Sequence, residues 1–392
     1  MAYGKDMAYG KDMAYGKDMA YGKDMAYGKD MAYGKDMAYG KDTEKMLEII
    51  RYATYRELDL SFLSITHSPA LPHFIKRVII RKSSIESIPS LPESIVELDI
   101  YDTKLKSLPP VFPESLTQIN VTVSPLESIE SLPQNLKKLC LSATQIKCLP
   151  QLPLTLRYLI CNNTQLPSLP TLPPKLEELY LLQTQISTVP EFPSSLKSIS
   201  VESPNLIYLT PLPDSLTSLY IVHTPLLAIP PLKYTNLYML NLTQTDIKEL
   251  PQLPETLHDL SLSNNNFLTK ITGFPKSLRR LKIQANQSLT ILPTLPENLS
   301  ELVIYDCKNI CIMPLIPKYL KRIDINSCSK LPTELQNIIG PNAYWSIKWN
   351  LWNELQSQTR ITERNGIIER NLCEEVFYNE MQKIESGIDI AY

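Results

Sequence analysis

Histidine and cysteine are the side chains best suited to catalysis or metal binding in this chain, and their spacing supports neither. The four histidines show no metal-ligand spacing: His67, His73, His223 and His258. The seven cysteines form no CxxC pair, so neither a disulfide framework nor a zinc site is expected. Glycine is scarce after residue 42, which argues against a phosphate-binding loop. The sequence therefore predicts no metal and no cofactor.

One cysteine near the C-terminus, Cys373, is the remaining candidate for a covalent catalyst. A reactive thiol needs an electropositive environment, and two glutamates, Glu374 and Glu375, follow this one instead. Its apolar neighbours Leu372 and Val376 fit one face of a helix. We therefore predict no catalytic residue, and a protein that is not an enzyme.

Composition narrows the classes of partner. The net charge of −2 gives no support for a nucleic-acid footprint or a polybasic membrane surface. No run of apolar residues approaches the length of a membrane-spanning helix, and no secretory signal is recognisable. The sequence predicts an intracellular protein, in the cytoplasm, that binds neither nucleic acid nor membrane.

The fold is built from an internal sequence repeat of 20 or 21 residues. A clean copy, residues 132–151, reads LPQNLKKLCLSATQIKCLPQ. Thirteen units begin at Leu71, Leu91, Phe112, Leu132, Leu152, Leu172, Phe192, Leu212, Leu232, Leu253, Phe274, Leu295 and Ile316. A fixed short period predicts a stack of identical units, a solenoid over residues 71–335.

Spacing within a unit predicts its shape. Leu139 and Leu141 alternate with Cys140, as in a short strand with one buried face. Pro150 and Pro153 hold the outer arm extended. We expect a parallel β-sheet on the concave face and an extended, polyproline-like convex face. The unit at Leu232 departs from the pattern, with its strand one residue later, and we expect a slight change of curvature there.

Short polar side chains mark the turn after each strand. Thr144 occupies this position in the clean copy; its counterparts are Thr103, Thr164, Thr184, Thr224 and Thr245, then Asn265 and Asn286, then Cys307 and Cys328. Such side chains can satisfy backbone groups that stacking buries.

The two ends differ from the repeats. Residues 1–42 are seven copies of MAYGKD, interpreted as a disordered tract, or alternatively as a multivalent tyrosine-bearing tail. Residues 43–70 are predicted to form an N-terminal cap, a short helix and an irregular first repeat. Residues 336–392, with Trp345, Trp349 and Trp352 at helical spacing, are predicted to form a helical cap over the last strand, or alternatively an amphipathic surface for a partner or a membrane.

The pattern LPxLPxxLxxLxxxxTxLxxLPx resembles the short, proline-rich leucine-rich repeats of YopM-like and IpaH-like bacterial effectors. It is also similar to leucine-rich-repeat proteins of amoeba-infecting giant viruses such as mimivirus. The resemblance covers residues 58–335 and implies a leucine-rich-repeat solenoid, to which the end segments add the predicted helical caps. Threonine stands at most turns where the family usually has asparagine. The resemblance implies an effector-like role directed at a host protein.

The predicted register places an aromatic and aliphatic patch on the concave face. Its residues are Tyr101, Tyr158, Ile160, Tyr180, Leu182, Tyr220 and Val222. Towards the C-terminus the same columns become polar or charged: Asp259, Arg280, Lys282, Glu301, Arg322 and Asp324. An exposed apolar patch with a charged flank is typical of a protein interface with its rim.

These observations predict a scaffold that binds a partner protein on its concave face. Two alternatives stay open. IpaH-like proteins carry a separate cysteine domain that transfers ubiquitin, so this chain could be the substrate-recognition arm of a ligase; about 50 residues follow the repeats, too few for an ordinary second domain. A receptor or adhesin outside the cell would require export.

Overall fold

The computed structural model of the protein describes residues 56–68, 71–88, 90–317, 320–331 and 338–340. Fifteen strands form one sheet in which neighbours in sequence are neighbours in space. The strands are β1 (Glu57–Asp59), β2 (Arg77–Ser83), β3 (Glu97–Thr103), β4 (Gln118–Thr122), β5 (Lys138–Cys140), β6 (Tyr158–Ile160), β7 (Glu178–Leu181), β8 (Ser198–Val201), β9 (Ser218–Val222), β10 (Met239–Thr243), β11 (Asp259–Ser263), β12 (Arg280–Gln284), β13 (Glu301–Tyr305), β14 (Arg322–Asn326) and β15 (Ile338–Gly340). Strands β1 to β14 are parallel.

Each strand has one buried face, as the leucine spacing predicts. In β9, Leu219 and Ile221 are 0% exposed, whereas Ser218, Tyr220 and Val222, which alternate with them, are half-buried. Each buried aliphatic side chain contributes about 1.5–3 kcal/mol, and the strand register stacks these side chains into one continuous core.

Extended and turn segments, without any helix, join the strands in the described ranges, which confirms the predicted convex side. The same ranges hold no helix long and apolar enough to cross a membrane.

A residue with positive φ lies at the end of the strand, or within three residues of it, in nearly every unit. None of these residues is a glycine: Phe62, Lys82, Asp102, Val123, Ala143, Asn163, Gln183, His223, Gln244, Asn264, Ala285, Asp306 and Ser327. The left-handed region costs an ordinary residue about 1–2 kcal/mol, and most for a β-branched one such as Val123, at φ 52°. Because these side chains have little in common, the geometry of the turn imposes the conformation.

The predicted turn residues make the expected backbone contacts. The Thr144 hydroxyl donates to the carbonyl of Leu141 at 2.7 Å, within its own unit. Asn265 does more, because its Nδ2 donates to the Leu242 carbonyl at 2.9 Å and its Oδ1 accepts from the Thr245 backbone N–H at 3.0 Å. The asparagine therefore bonds the preceding unit.

The unit that contains β8 is built differently. Ser203 stands at the position that has positive φ in its neighbours, and Pro204 stands in the threonine column. The Ser203 hydroxyl donates to the Ile186 carbonyl at 2.7 Å, and its backbone N–H donates to Thr224 Oγ1 at 3.0 Å. These two bonds tie the turn to the units on both sides, which keeps β8 in register.

The predicted end segments lie largely outside the described residues. This holds for residues 1–42, for the helix predicted after residue 42, and for the three tryptophans. The irregular first repeat supplies β1, with Leu58 and Leu60 buried. Residues 338–340, near the start of the segment predicted as a helical cap, form β15, which pairs antiparallel with β14. A strand therefore covers that edge of the sheet.

Candidate binding surface

The concave face of the solenoid consists of the strand side chains that point away from the core. They form columns across the sheet because the strands are in register. A first column opens each strand, with Tyr158, Glu178, Ser198 and Ser218 at its centre. The second column is Asp59, Ile79, Asp99, Asn120, Cys140, Ile160, Tyr180, Ser200, Tyr220, Asn241, Ser261, Lys282, Val303 and Asp324. The third column lies two residues further along each strand.

The structure places most of the predicted binding residues on the central strands β6 to β9. Ile160, Tyr180 and Tyr220 share the second column, and Ser200 lies between the two tyrosines. Tyr158 lies in the first column and pairs with Glu178. These positions agree with the register that the sequence predicts.

Three other predicted residues belong to the third column. Leu182 follows β7 directly and Val222 ends β9, and both are half-buried. Glu202 stands between them, at the end of β8. Tyr101, 39% exposed, pairs with Thr122 in the N-terminal part of the sheet and is remote from the central strands.

Ile160 differs from its prediction as an exposed residue. Only 6% of its surface is accessible. Its register neighbours Cys140 and Tyr180 flank it on both sides. Ile160 therefore packs beneath the concave surface and contributes little accessible area to it.

Tyr180 is fixed by a carboxylate on its own strand. Its hydroxyl donates to Glu178 Oε2 at 2.9 Å. Burial, together with the negative charge of Glu178, raises the pKa of Tyr180 to about 12. The phenol is therefore a hydrogen-bond donor at any physiological pH.

Tyr220 is fixed from the next strand. Its hydroxyl donates to Met239 Sδ at 3.4 Å. Burial raises the pKa of Tyr220, and the charge of Asp259 adds to the shift. Both tyrosines are half-buried, so their rings are held in place while part of each stays accessible.

Comparison with solved structures identifies the architecture. YopM from Yersinia pestis, a leucine-rich effector protein, is 26% identical with a TM-score of 0.59, covering 79% of this chain and 93% of that one. This chain has the leucine-rich-repeat fold. Its repeats are similar to those of effectors, as the resemblance implies.

Two further matches are weaker in geometry. YopM from Yersinia enterocolitica is 24% identical over 80% of this chain and 93% of that one, with a TM-score of 0.44. The leucine-rich-repeat domain of a Shigella effector is 24% identical over 48% and 92%, with a TM-score of 0.41. No protein-family model and no curated protein sequence matches the chain.

Ladders of alternating charge occupy the first column at both ends of the leucine-rich-repeat sheet. Near the N-terminus, Arg77 lies between Glu57 at 3.1 Å and Glu97 at 3.3 Å. Near the C-terminus the order is Asp259, Arg280, Glu301 and Arg322, in which Arg280 pairs with Asp259 and Arg322 with Glu301. The charges predicted for this flank are present, and they largely neutralise one another. Exposed pairs of this kind add little stability.

A third group of charges lies just before the central strands. Glu177 sits between Arg157 and Lys197, and Lys197 Nζ is 2.9 Å from Glu177 Oε2. The hydrogen bond from Lys197 is the main cause of a lowered pKa at Glu177, and the same bond raises the pKa of Lys197. Both cations are therefore engaged outside the columns.

The cysteines fit structural roles. Burial raises the pKa of Cys140 and of Cys161, and it raises that of Cys307 to about 12. Such thiols are poor nucleophiles. In the described part of the chain, no group of three histidine, cysteine or acidic side chains could hold a metal ion. Cys373 lies outside that part.

Sequence reasoning missed two interactions of histidine. His223 Nδ1 lies 2.9 Å from Glu202 Oε1, although the sequence pattern indicates no acidic partner for it. The two residues are 21 positions apart, close to one repeat, and this spacing is the signal that could have found the pair. His258 stacks on Tyr238 with the ring centroids 4.4 Å apart.

The Tyr238–His258 stack lines a shallow pocket beside the irregular unit. The pocket has a volume of about 620 Å³, and Asn236 and Glu255 also line it. Its lining residues come from the segments at the start of β9, β10 and β11, in the unit that begins at Leu232 and in the units on either side of it.

Proposed function

We propose that the protein is a non-enzymatic scaffold that binds a partner protein on its concave face at the central strands. The contact residues are Tyr158, Tyr180, Leu182, Tyr220 and Val222. Ile160 supports them, and Tyr101 is an outlying contact. The observation that carries the proposal is that partly buried aromatic and aliphatic side chains cluster on the concave face at β6 to β9, where the paired charges of the end ladders are absent.

The physical basis of the proposal is that these side chains lose little conformational entropy when a partner binds. Tyr180 and Tyr220 are already held by hydrogen bonds, so little conformational entropy is lost when a partner covers them. Tyrosine offers a large contact area with a polar tip, and it is frequent among residues that dominate binding energy. The laddered ends supply a polar rim around this centre.

Similarity to an effector structure supports the wider biological role. YopM from Yersinia pestis is a leucine-rich effector protein, and this chain shares its repeat architecture. We propose by analogy that the partner is a host regulator met in the host cytoplasm. The partner's identity is to be obtained by experiment.

The test is affinity capture from host lysate by the full chain and by a Tyr158→Ala, Tyr180→Ala, Tyr220→Ala variant. We expect the wild-type chain to retain one protein that the variant loses. Truncating three contact residues should weaken binding by roughly 100-fold or more. Circular dichroism checks that the variant is folded.

A matched control distinguishes the concave face from tyrosine in general. Tyr208 and Tyr234 lie outside the strands and are 64% and 74% exposed. A Tyr208→Ala, Tyr234→Ala variant should capture as well as wild type. Equal capture by the triple variant and the wild type would place the binding surface elsewhere and overturn the proposal.

A further inference from the structure

The two central tyrosines flank one small residue of the strand between them. Tyr180 and Tyr220 pair in register with Ser200 on β8. Adjacent strands lie about 4.8 Å apart, so the two tyrosine backbones are roughly 9.6 Å apart. Ser200 is nevertheless only 6% exposed, which means that the neighbouring side chains cover it. We call Tyr180, Ser200 and Tyr220 the tyrosine platform.

Two carboxylates border the tyrosine platform. Glu178 lies in the first column and contacts the hydroxyl of Tyr180. Glu202 lies in the third column, on the opposite side of Ser200, and its side chain is 19% exposed. The platform is therefore an aromatic surface with an acidic group at either side.

Neither lysine nor arginine balances this acidity on the same strands, and Glu202 contacts the His223 imidazole, whose Nδ1 lies 2.9 Å from Glu202 Oε1. The three columns of β6 to β9, all of them described, contain Glu178 and Glu202 but no lysine or arginine. Glu178 has no ion-pair partner in the described part of the chain. Arg157 and Lys197, which precede these strands, are bonded to Glu177 instead.

The end ladders make the contrast clear. In both end ladders, each acidic residue of the first column forms an ion pair with an arginine on a neighbouring strand. In the centre the arginine is missing and two tyrosines stand beside the carboxylate. Among the described residues, Glu178 is therefore the acidic residue of the first column that has no arginine beside it.

We propose that the tyrosine platform receives an arginine side chain of the partner protein, whose guanidinium lies on the rings and pairs with Glu178 and Glu202. This inference rests on the proposed function and specifies its partner. Arginine fits better than lysine because its planar guanidinium stacks on aromatic faces and donates hydrogen bonds in several directions. Exclusion of water by the surrounding partner strengthens both interactions.

The test uses three short peptides and the full chain. Acetyl-Gly-Arg-Gly-amide, its lysine analogue and its citrulline analogue are titrated into protein carrying labelled tyrosine rings. Magnetic resonance of the rings is followed, with Tyr180→Phe and Tyr220→Phe variants providing the assignments. Citrulline has the shape of arginine without the charge, so it isolates the electrostatic part.

The arginine peptide should shift the Tyr180 and Tyr220 ring signals, with the citrulline peptide binding about tenfold more weakly and lysine between the two. A Glu178→Gln, Glu202→Gln variant should bind the arginine peptide about tenfold more weakly as well. Glu301→Gln is the control, because Glu301 occupies the same column but is paired with Arg322. Equal shifts by arginine and citrulline, or unchanged binding in the double variant, would overturn the inference.

Capture of the partner protein separates this inference from the proposed function. Loss of capture in the triple tyrosine variant together with full capture by Glu178→Gln, Glu202→Gln leaves the concave face as the binding surface and rejects the arginine. Full capture by the triple tyrosine variant rejects the concave face itself. Melting temperatures of all variants confirm that they are folded.

Discussion

The turn after each strand is built in two ways along the solenoid, and the comparison explains how the units hold together. In the central region the turn carries threonine, as at Thr144 and Thr164, and each hydroxyl donates to a carbonyl of its own unit. At Asn265 and Asn286 the turn carries asparagine, and the two polar groups of Asn265 reach the preceding unit. Among the described residues no side-chain bond joins Thr144 to Thr164 as Asn286 is joined to Asn265.

The difference follows from the chemistry of the two side chains. A hydroxyl can donate one hydrogen bond, and that of Thr164 donates to the carbonyl of Cys161. An amide donates and accepts through separate atoms, so Asn286 binds a carbonyl and a backbone N–H together. Thr245 marks the junction, since both its N–H and its hydroxyl contact Asn265 Oδ1. The asparagine region should therefore be coupled more strongly between units.

Replacing Asn286 by alanine should have the largest effect on this comparison. The change leaves the Leu262 carbonyl and the Asn265 N–H without their partner in a site that is 0% exposed. Each orphaned buried group costs about 1–3 kcal/mol, so we expect a loss of roughly 3 kcal/mol in the free energy of unfolding. Urea denaturation of the full chain measures it. A loss under about 1 kcal/mol would contradict the proposed coupling of neighbouring units by the asparagine side chains.

Replacing Thr164 by valine should have a smaller effect. Valine keeps the shape, and only the hydroxyl bond to the Cys161 carbonyl, at 2.9 Å, is lost. The expected loss is about 1 kcal/mol in the free energy of unfolding. The same urea experiment tests it. A cost equal to that of Asn286→Ala would show that the two kinds of turn do not differ energetically.

Much of this arrangement is readable from the sequence, because the period fixes it. The spacing of Leu139 and Leu141 predicts the strand, and the position of Thr144 and Asn265 predicts the turn. The columns follow as well, since a parallel register repeats every unit. Tyr180 and Tyr220 are found in this way.

What could not be predicted depends on contacts between units. Ile160 is buried although it occupies a concave-face position, and its register neighbours Cys140 and Tyr180 belong to other units. The pairing of His223 with Glu202 joins different positions of successive units, so it is found only by comparing residues about one repeat apart and not by reading a single column. The positive φ of residues as different as Val123 and His223 leaves no mark in composition, because the backbone geometry of the turn sets it.

The turns that carry cysteine extend the comparison, and they should make stability depend on pH. Cys307 is 0% exposed, and burial raises its pKa from 9.0 to about 12. A raised pKa on an acid means that the unfolded chain releases its proton first, so this contribution is fully present below pH 9 and falls as pH rises towards 12. We expect roughly 0.8 kcal/mol to be lost at pH 9.5 relative to neutral pH.

Urea denaturation at pH 7.5 and pH 9.5 of the wild type and of Cys307→Ala measures this term as a difference in pH dependence. The alanine variant should be less stable at neutral pH, because a buried side chain is truncated, yet it should lose less stability on going to alkaline pH. Cys148→Ala is the control, since that side chain is exposed and its removal should leave the pH dependence unaltered. Parallel pH dependences for wild type and Cys307→Ala would mean that the thiol turn is no more sensitive to alkali than the asparagine turn beside it.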